Sequence, residues 1–179
     1  FMILNFLINL RHGRLSRYQK FWVFWGKIYR KVITILNYQK TFKKKISNFG
    51  PFNFHPIFFF SDYDNWGYGH NSFYNNMIQM SIKKRCVIDI GAHIGLNLIP
   101  ISRISSGQTH IHCFEPSNTN LKFLKYHIKK NSLKNIILNK CLVGENEHDN
   151  VIFYEKKGHS GLNSKAKLDQ KGNFFEVKK

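Results

Sequence analysis

The sequence predicts an α/β fold in which three parallel strands alternate with helices, behind a basic, helical N-terminal extension. The first observation is VIDIGAHIGLN, Val87 to Asn97, an apolar run that ends in an acid and leads into two glycines. Two more apolar runs follow, Thr109 to Phe114 and Asn135 to Val143, and Asn118 to Asn131 between them repeats its apolar residues at helical spacing. Strands that alternate with helical segments predict βαβ units and a parallel sheet.

The first strand and its glycine turn form the candidate binding site. Val87, Ile88 and Ile90 are branched residues that suit a strand covered on both faces. Gly91 and Gly95 lack a Cβ, so the backbone can approach a ligand closely, and the next helix presents free N–H groups. The G-x-x-x-G spacing matches neither the dinucleotide fingerprint nor a Walker A sequence. A ligand crevice is therefore expected at the carboxyl end of this strand.

The second strand ends in an acid, Glu115, 20 residues after Gly95. A carboxylate at this place can accept hydrogen bonds from both hydroxyls of a ribose. The acid and the glycine turn together favour an adenosyl ligand.

Four segments together resemble the FkbM family of S-adenosylmethionine-dependent methyltransferases. They are DIGAHIG, CFEPSNTNLKFLKYHIKKN, ILNKCLVGENE and FYEKKGHSGLNS, and the similarity runs from residue 66 to residue 164. The glycine motif is shared by Rossmann-like methyltransferases in general, whereas FEPS followed by HSGLNS is more specific. The resemblance implies a Rossmann-like class I methyltransferase sheet, S-adenosylmethionine as cofactor, and O-methylation of a sugar, glycan or polyketide-type hydroxyl.

The resemblance also implies which residues form the site. His93 stands where the family usually has asparagine, and either side chain can hydrogen-bond the cofactor's carboxylate. His159 and Ser160, in the HSGLNS loop, are the candidates on the acceptor side, and Glu145 can face the adenine ring or belong to an ordinary polar turn. No catalytic base is identified. The residues expected to bind the cofactor are Asp89, Gly91, His93, Gly95, Asn97 and Glu115.

By the same resemblance the chain is expected to be a C-terminally incomplete methyltransferase. A sheet of this class has its first strand in the centre, but only three parallel strands can be placed before Lys179. The family's later motif of lysine, acid and glycine has no counterpart. The first strand would then lie at an edge, where unpaired N–H and C=O groups favour pairing with another chain. We therefore expect an oligomer through the open sheet edge and no activity from the chain alone.

The charge is concentrated at the N-terminus. The formal net charge is +18, and residues 1–50 contain eleven Lys or Arg and no acid. One interpretation is contact of residues 1–45 with an anionic membrane surface, with nucleic acid as a less favoured partner; the other is a compositional bias towards lysine and asparagine. Tyr18 to Leu36 has helical periodicity with basic residues between the apolar ones, so it can lie on a membrane or pack against protein. The expected location is the cytoplasm, with peripheral membrane contact as the alternative.

The cysteines indicate neither disulfides nor a metal site. Cys86, Cys113 and Cys141 form no C-x-x-C pair and fall at or inside apolar strand segments. Their odd number suits a reducing compartment. We interpret them as small buried hydrophobic residues.

Three segments are expected: a basic helical leader at 1–50, an aromatic-rich cap segment at 51–84, and a partial Rossmann-like domain at 85–179. The boundary is placed at Gly50, before Pro51. Ile57 to Phe60 is predicted to be a strand, Trp66 to Tyr74 to form part of the pocket wall, and Asn71 to Ile82 to be a short helix. Two further strands are predicted at Val151 to Glu155 and Phe174 to Val177.

Two other function classes share these features. A nucleotide-binding oxidoreductase would have the same strand, turn and acid, but it needs a third glycine that this turn lacks. A non-catalytic Rossmann-like scaffold or fragment would keep the fold and use the basic leader to bind surfaces. Affinity for S-adenosylmethionine and for NAD distinguishes the three.

Overall fold

The computed structural model describes residues 6–7, 9–11, 13, 15–144, 150–155 and 173–178. The chain forms two compact units. The first comprises Phe1–Phe42 and Phe54–Asp62, and the second comprises Lys43–Asn53 and Tyr63–Lys179. The predicted segments at 1–50, 51–84 and 85–179 divide the chain differently.

The first unit is built on helix α1, Gln19–Ile35, which agrees with the helix predicted from Tyr18 to Leu36. One side of α1 is buried through Trp22, Gly26 and Ile33. Phe59 is buried as well, with its ring centroid 5.1 Å from that of Phe42 and 6.0 Å from that of Tyr29. Aromatic contacts therefore form the core of this unit.

The strand predicted at Ile57 to Phe60 is a 3₁₀ turn instead, Pro56–Phe58. Pro56 is at the first helical position, where its fixed φ favours a helical turn. The His55 ring caps this turn, because its Nδ1 accepts a hydrogen bond of 3.2 Å from the Ile57 N–H. The prediction was wrong because it followed the apolar run and ignored the proline before it.

Strands β1, Phe42–Ile46, and β2, Phe49–Phe54, pair in a two-stranded sheet. The predicted boundary between Gly50 and Pro51 therefore lies inside β2. The sequence FKKKI of β1 buries Phe42 and Ile46 at its two ends and exposes Lys43 and Lys45. Part of the segment that we predicted as a basic helical leader is thus a strand with Lys43 and Lys45 exposed.

The second unit contains a parallel sheet of three strands. They are β3, Cys86–Ile90, β4, His110–Phe114, and β5, Ile136–Asn139, in the order β3-β4-β5. Helix α2, Tyr74–Ser81, precedes β3, and helices α3, Leu98–Ile104, and α4, Asn118–Lys130, connect the strands. The predicted α/β fold is confirmed: this is part of a Rossmann-like sheet with its crossover helices.

Strand β3 lies at an edge of this sheet within the described part of the chain, as expected. Its predicted burial on both faces is wrong. Asp89 is buried, whereas Ile88 is 66% exposed and Ile90 is 62% exposed. The reason is that the described elements cover only one face of β3, so every second side chain points to solvent.

Helix α4 is fixed by polar contacts at both ends and in its middle. The Ser117 hydroxyl caps it, accepting a hydrogen bond of 3.0 Å from the Asn120 N–H. The fully buried His127 ring makes a hydrogen bond of 2.8 Å, through Nδ1, with the Ile94 carbonyl. Asn131 bonds both the N–H and the carbonyl of Asn53 in β2, each at 2.8 Å. These contacts hold the segment after β3 against α4.

Two further strands, β6, Asn150–Glu155, and β7, Asn173–Lys178, form an antiparallel pair. Both agree with the predicted strands at residues 151–155 and 174–177. Glu155 accepts hydrogen bonds from the N–H and the hydroxyl of Thr119, at 3.3 and 3.1 Å. The carboxylate therefore satisfies a free N–H in the first turn of α4. None of the helices in the described residues has the length and hydropathy needed to cross a bilayer.

Candidate functional site

A cavity of about 590 Å³ lies at the carboxyl ends of β3 and β4. This is where open α/β sheets bind ligands, and the volume is in the range of small-molecule sites. The lining residues come from the glycine turn, the end of β4, the segment after β5 and two flanking regions. They are Tyr63, Trp66, Ile90, Gly91, Ala92, His93, Leu96, Asn97, Phe114, Glu115, Pro116, Asn120, Cys141, Leu142, Val143 and Phe153.

The glycine turn is bound to the end of the neighbouring strand. The N–H groups of Gly91 and Ala92 both donate to the Phe114 carbonyl, at 2.9 and 3.0 Å, and the Gly95 N–H donates to the Ala92 carbonyl at 2.8 Å. His93 has a φ of +52°, a left-handed conformation in which histidine and asparagine are enriched. The turn is therefore a fixed part of the cavity wall.

Glu115 is the centre of the polar wall and is only 4% exposed. Its Oε2 accepts a hydrogen bond of 2.7 Å from the His93 N–H. Its Oε1 accepts from the Ser117 N–H at 2.9 Å and from the Asn120 side-chain nitrogen at 3.2 Å. A carboxylate has about four acceptor positions. Three are used by the described residues, which leave one acceptor position, on Oε2, for a ligand.

The two glycines of the motif have different surroundings. A Cβ built on Gly91, at a φ of +79°, would meet no atom within 4 Å, so this position faces open space. A Cβ on Gly95, at +98°, would lie 3.0 Å from Leu124 Cδ1 and 3.4 Å from Ile99 Cδ1. Gly91 thus leaves room on the cavity side. Gly95 does not line the cavity, and its missing Cβ lets the turn lie close to Leu124 of α4 and Ile99 of α3.

Asp89 stands behind the cavity wall. Its Oδ1 accepts a hydrogen bond of 3.2 Å from the Asn97 side-chain nitrogen, and Asn97 itself lines the cavity. Its Oδ2 is buried and accepts no hydrogen bond from the described residues. Burial raises the pKa of this carboxyl, the hydrogen bond from Asn97 lowers it, and the charge of Glu115 raises it further. Asp89 therefore contributes to the cavity indirectly, by holding the Asn97 side chain in position.

The raised pKa of Asp89 predicts a stability that falls as the pH rises. The folded protein binds the proton more tightly than the unfolded chain, so the free energy of unfolding decreases from the ordinary aspartate pKa up through the raised one. Asp89→Asn removes the charge and therefore the free-energy cost of burying it. We expect the variant to match or exceed the wild type at pH 7, by on the order of 1 kcal/mol, and to lose that advantage in acid. Urea unfolding at several pH values measures this; an equal loss of stability at every pH would contradict it.

The environment of His93 favours its neutral form. Burial lowers the pKa of the imidazole, and the charge of Glu115 opposes this with a smaller effect. At neutral pH the ring is therefore mainly uncharged, with one nitrogen protonated and the other not.

Four of the six predicted cofactor residues line the same cavity: Gly91, His93, Asn97 and Glu115. Asp89 and Gly95 support it from behind. Of the segment predicted to form part of the pocket wall, Trp66 to Tyr74, Trp66 lines the cavity. Glu145, His159 and Ser160 lie outside the described residues.

Sequence reasoning missed several lining residues. Tyr63 and Phe153 belong to segments far from the glycine motif, and Asn120 looked like an ordinary residue of α4. The cysteines were only partly predicted: Cys113 is buried, with a pKa raised to about 12, mainly by burial, but Cys86 is exposed and the half-buried Cys141 lines the cavity. The one available signal was the family resemblance of the segment around Cys141.

No protein-family model matches the sequence, and the search of curated proteins gives no match either. Among solved structures, the chain is similar to an S-adenosylmethionine-dependent methyltransferase from Aquifex aeolicus, at 16% identity and a TM-score of 0.32, over 41% of this chain and 38% of that one. It is also similar to a tRNA (uracil-54, C5)-methyltransferase from Pyrococcus abyssi, in complex with S-adenosyl-L-homocysteine, at 10% identity and a TM-score of 0.35, over 56% and 24%. The chain thus spans well under half of each of these proteins, and what the cavity binds is inferred from its own residues.

Proposed function

We propose that this chain forms the S-adenosylmethionine-binding part of a methyltransferase. The observation that carries the proposal is the contact between Glu115 and the glycine turn. The acid at the end of β4 holds the His93 N–H at 2.7 Å and keeps an acceptor position beside Gly91, whose Cβ side is open. The site therefore has an acceptor for a ribose hydroxyl and space for a ligand to lie close to the backbone, and an adenosyl ligand requires both.

The residues around the cavity fit the parts of such a ligand. Glu115 would accept a ribose hydroxyl. Gly91 would let the methionine moiety of the ligand lie against the protein backbone. Asn97 and His93 have side chains that can form hydrogen bonds with this moiety. Leu142 and Val143 give the cavity an apolar side suited to a planar ring. Asp89 would hold Asn97 in place through their hydrogen bond.

When bound, S-adenosylmethionine supplies an electrophilic methyl group. The contribution of the chain is to hold the donor in a fixed orientation, which lowers the entropic cost of an in-line displacement. Trp66 and Phe153 would exclude water from one side of the cavity.

The FkbM resemblance extends the proposal to a small-molecule or glycan acceptor, namely a sugar, glycan or polyketide-type hydroxyl. His159 and Ser160 remain the acceptor-side candidates. A panel of such alcohols, assayed for methyl transfer with the chain and its native C-terminal continuation if one exists, tests this extension. Transfer to nucleic acid or protein alone would contradict it.

A matched pair of glycine variants tests the proposed site. Gly91→Ala and Gly95→Ala both place a Cβ on a residue with positive φ, so each should cost about 1–2 kcal/mol of stability. Only Gly91→Ala adds a methyl group on the cavity side. We expect it to weaken S-adenosylmethionine binding roughly tenfold or more, and Gly95→Ala, at a temperature where it is folded, to bind nearly as the wild type does.

Calorimetric titration of both variants gives the answer. Equal affinities for Gly91→Ala and the wild type would exclude this cavity as the site. A loss of affinity in Gly95→Ala alone would mean that the ligand lies on the other side of the turn.

A further inference from the structure

Helix α1 has an exposed apolar face that the methyltransferase proposal does not use. At 100° per residue, six exposed side chains fall within one sector of about 100°. We call them the apolar stripe: Phe21, Phe24, Trp25, Ile28, Val32 and Ile35. The buried residues Trp22, Gly26 and Ile33 lie beside this sector, on the side that packs within the first unit. An exposed stripe with three aromatic rings marks an interaction surface.

A row of lysines borders the stripe on the side away from the buried face. Lys20, Lys27 and Lys31 are spaced by seven and four residues, which places them on one line along the helix, next to Phe24. All three are exposed. Residues 1–50 contain no acid, so no carboxylate of this segment neutralises the row.

The stripe also forms one wall of an apolar cavity of about 340 Å³. Leu7 and Phe60 line it as well. Two of the three amphipathic rings in the lining have their polar atoms satisfied elsewhere: the Trp22 indole N–H donates to the Leu15 carbonyl at 2.8 Å, and the Tyr29 hydroxyl donates to the Pro56 carbonyl at 2.9 Å. The surface that the lining residues expose to the cavity is apolar, which suits a hydrocarbon chain.

We propose that the apolar stripe docks onto a membrane surface that contains anionic lipids. The stripe would lie at the boundary between headgroups and acyl chains, and Lys20, Lys27 and Lys31 would reach the phosphates beside it. Phe and Trp side chains favour this boundary, and a segment with an unbroken positive charge is attracted to an anionic leaflet. A protein partner would need to bring acids opposite the lysine row; an anionic bilayer supplies both the charge and the apolar layer.

Vesicle binding of the full chain tests this proposal. We expect binding to phosphatidylcholine vesicles that contain phosphatidylserine, much weaker binding to phosphatidylcholine alone, and loss of most of the difference at about 1 M salt. Changing Lys20, Lys27 and Lys31 together to Gln should lower the partition coefficient about a hundredfold, since each lysine near the surface contributes roughly fivefold. Trp25→Ser should weaken binding to both vesicle types.

The matched control removes three exposed lysines from another helix. Lys122, Lys125 and Lys129 lie on the outer face of α4, and changing them to Gln alters the net charge by the same amount. We expect this control to bind almost as the wild type does. Equal losses in the two triple variants would show that only net charge matters, and no binding to either vesicle would show that the stripe does not dock on lipid; each result overturns the proposal.

Discussion

Glu115→Gln is expected to weaken S-adenosylmethionine binding by more than tenfold and to destabilise the second unit. The side chain accepts three hydrogen bonds, from the His93 and Ser117 N–H groups and from Asn120. Glutamine has the same shape, but its NH₂ group must replace one of the two oxygens. In either orientation a donor then faces a buried donor, and the charge that strengthened the remaining bonds is gone.

The expected loss of stability is about 3 kcal/mol, the scale of one buried charge-assisted bond lost and one N–H left unpaired. Affinity should fall by more than tenfold, because the acceptor for the ribose and the position of the His93 turn change together. Thermal unfolding and calorimetric titration measure the two effects separately.

Glu155→Gln is the matched control. Glu155 is also buried and bonds to Thr119, but it does not line the cavity. We expect this variant to lose stability and keep its affinity for S-adenosylmethionine. If Glu115→Gln bound as tightly as Glu155→Gln, Glu115 would have only a structural role.

The second large effect concerns the edge of the parallel sheet. We expect the 179-residue chain to self-associate at micromolar concentrations through β3. Within the described residues this strand has a partner on one side only, and Ile88 and Ile90 are mostly exposed. An apolar strand with unpaired backbone groups is a template for pairing with another chain.

Ile88→Lys combined with Ile90→Lys should shift the chain towards monomer, because charges on an edge strand oppose such pairing. Ile152→Lys in β6 is the control: Ile152 is also an exposed isoleucine, but in a different sheet. Sedimentation velocity distinguishes the species. A monodisperse wild-type monomer would contradict this prediction, and so would equal effects of the two kinds of variant.

Local signals allowed much of the fold to be predicted. The helical spacing of apolar residues predicted both α1 and α4. The glycine turn and the acid at the end of β4 were recognised from short local patterns. These are two glycines four residues apart after a strand, and an acid directly after the next apolar run. The edge position of β3 was expected from the family resemblance and from the number of parallel strands that could be placed.

What the sequence did not reveal depends on contacts between segments that are far apart along the chain. Because Ile88 and Ile90 are branched residues, we predicted that β3 is covered on both faces of the sheet. Whether a face is covered depends on which other elements pack against it. Gly95 stays a predicted cofactor residue, but the sequence did not show that a Cβ there would lie against Leu124, on a helix 29 residues later. The three donors to Glu115 come from two separate segments, so the sequence could not show that they bond to its carboxylate. From the sequence both carboxylate oxygens were expected to be available to a ligand, whereas in the fold one acceptor position is left.

The most direct test is a calorimetric titration of the full chain with S-adenosylmethionine and, separately, with NAD. The cavity, its single remaining acceptor on Glu115 and the open side of Gly91 predict affinity in the micromolar range for S-adenosylmethionine and none for NAD, which needs a third glycine. Binding of NAD instead, or of neither ligand by a folded protein, would contradict the proposed function.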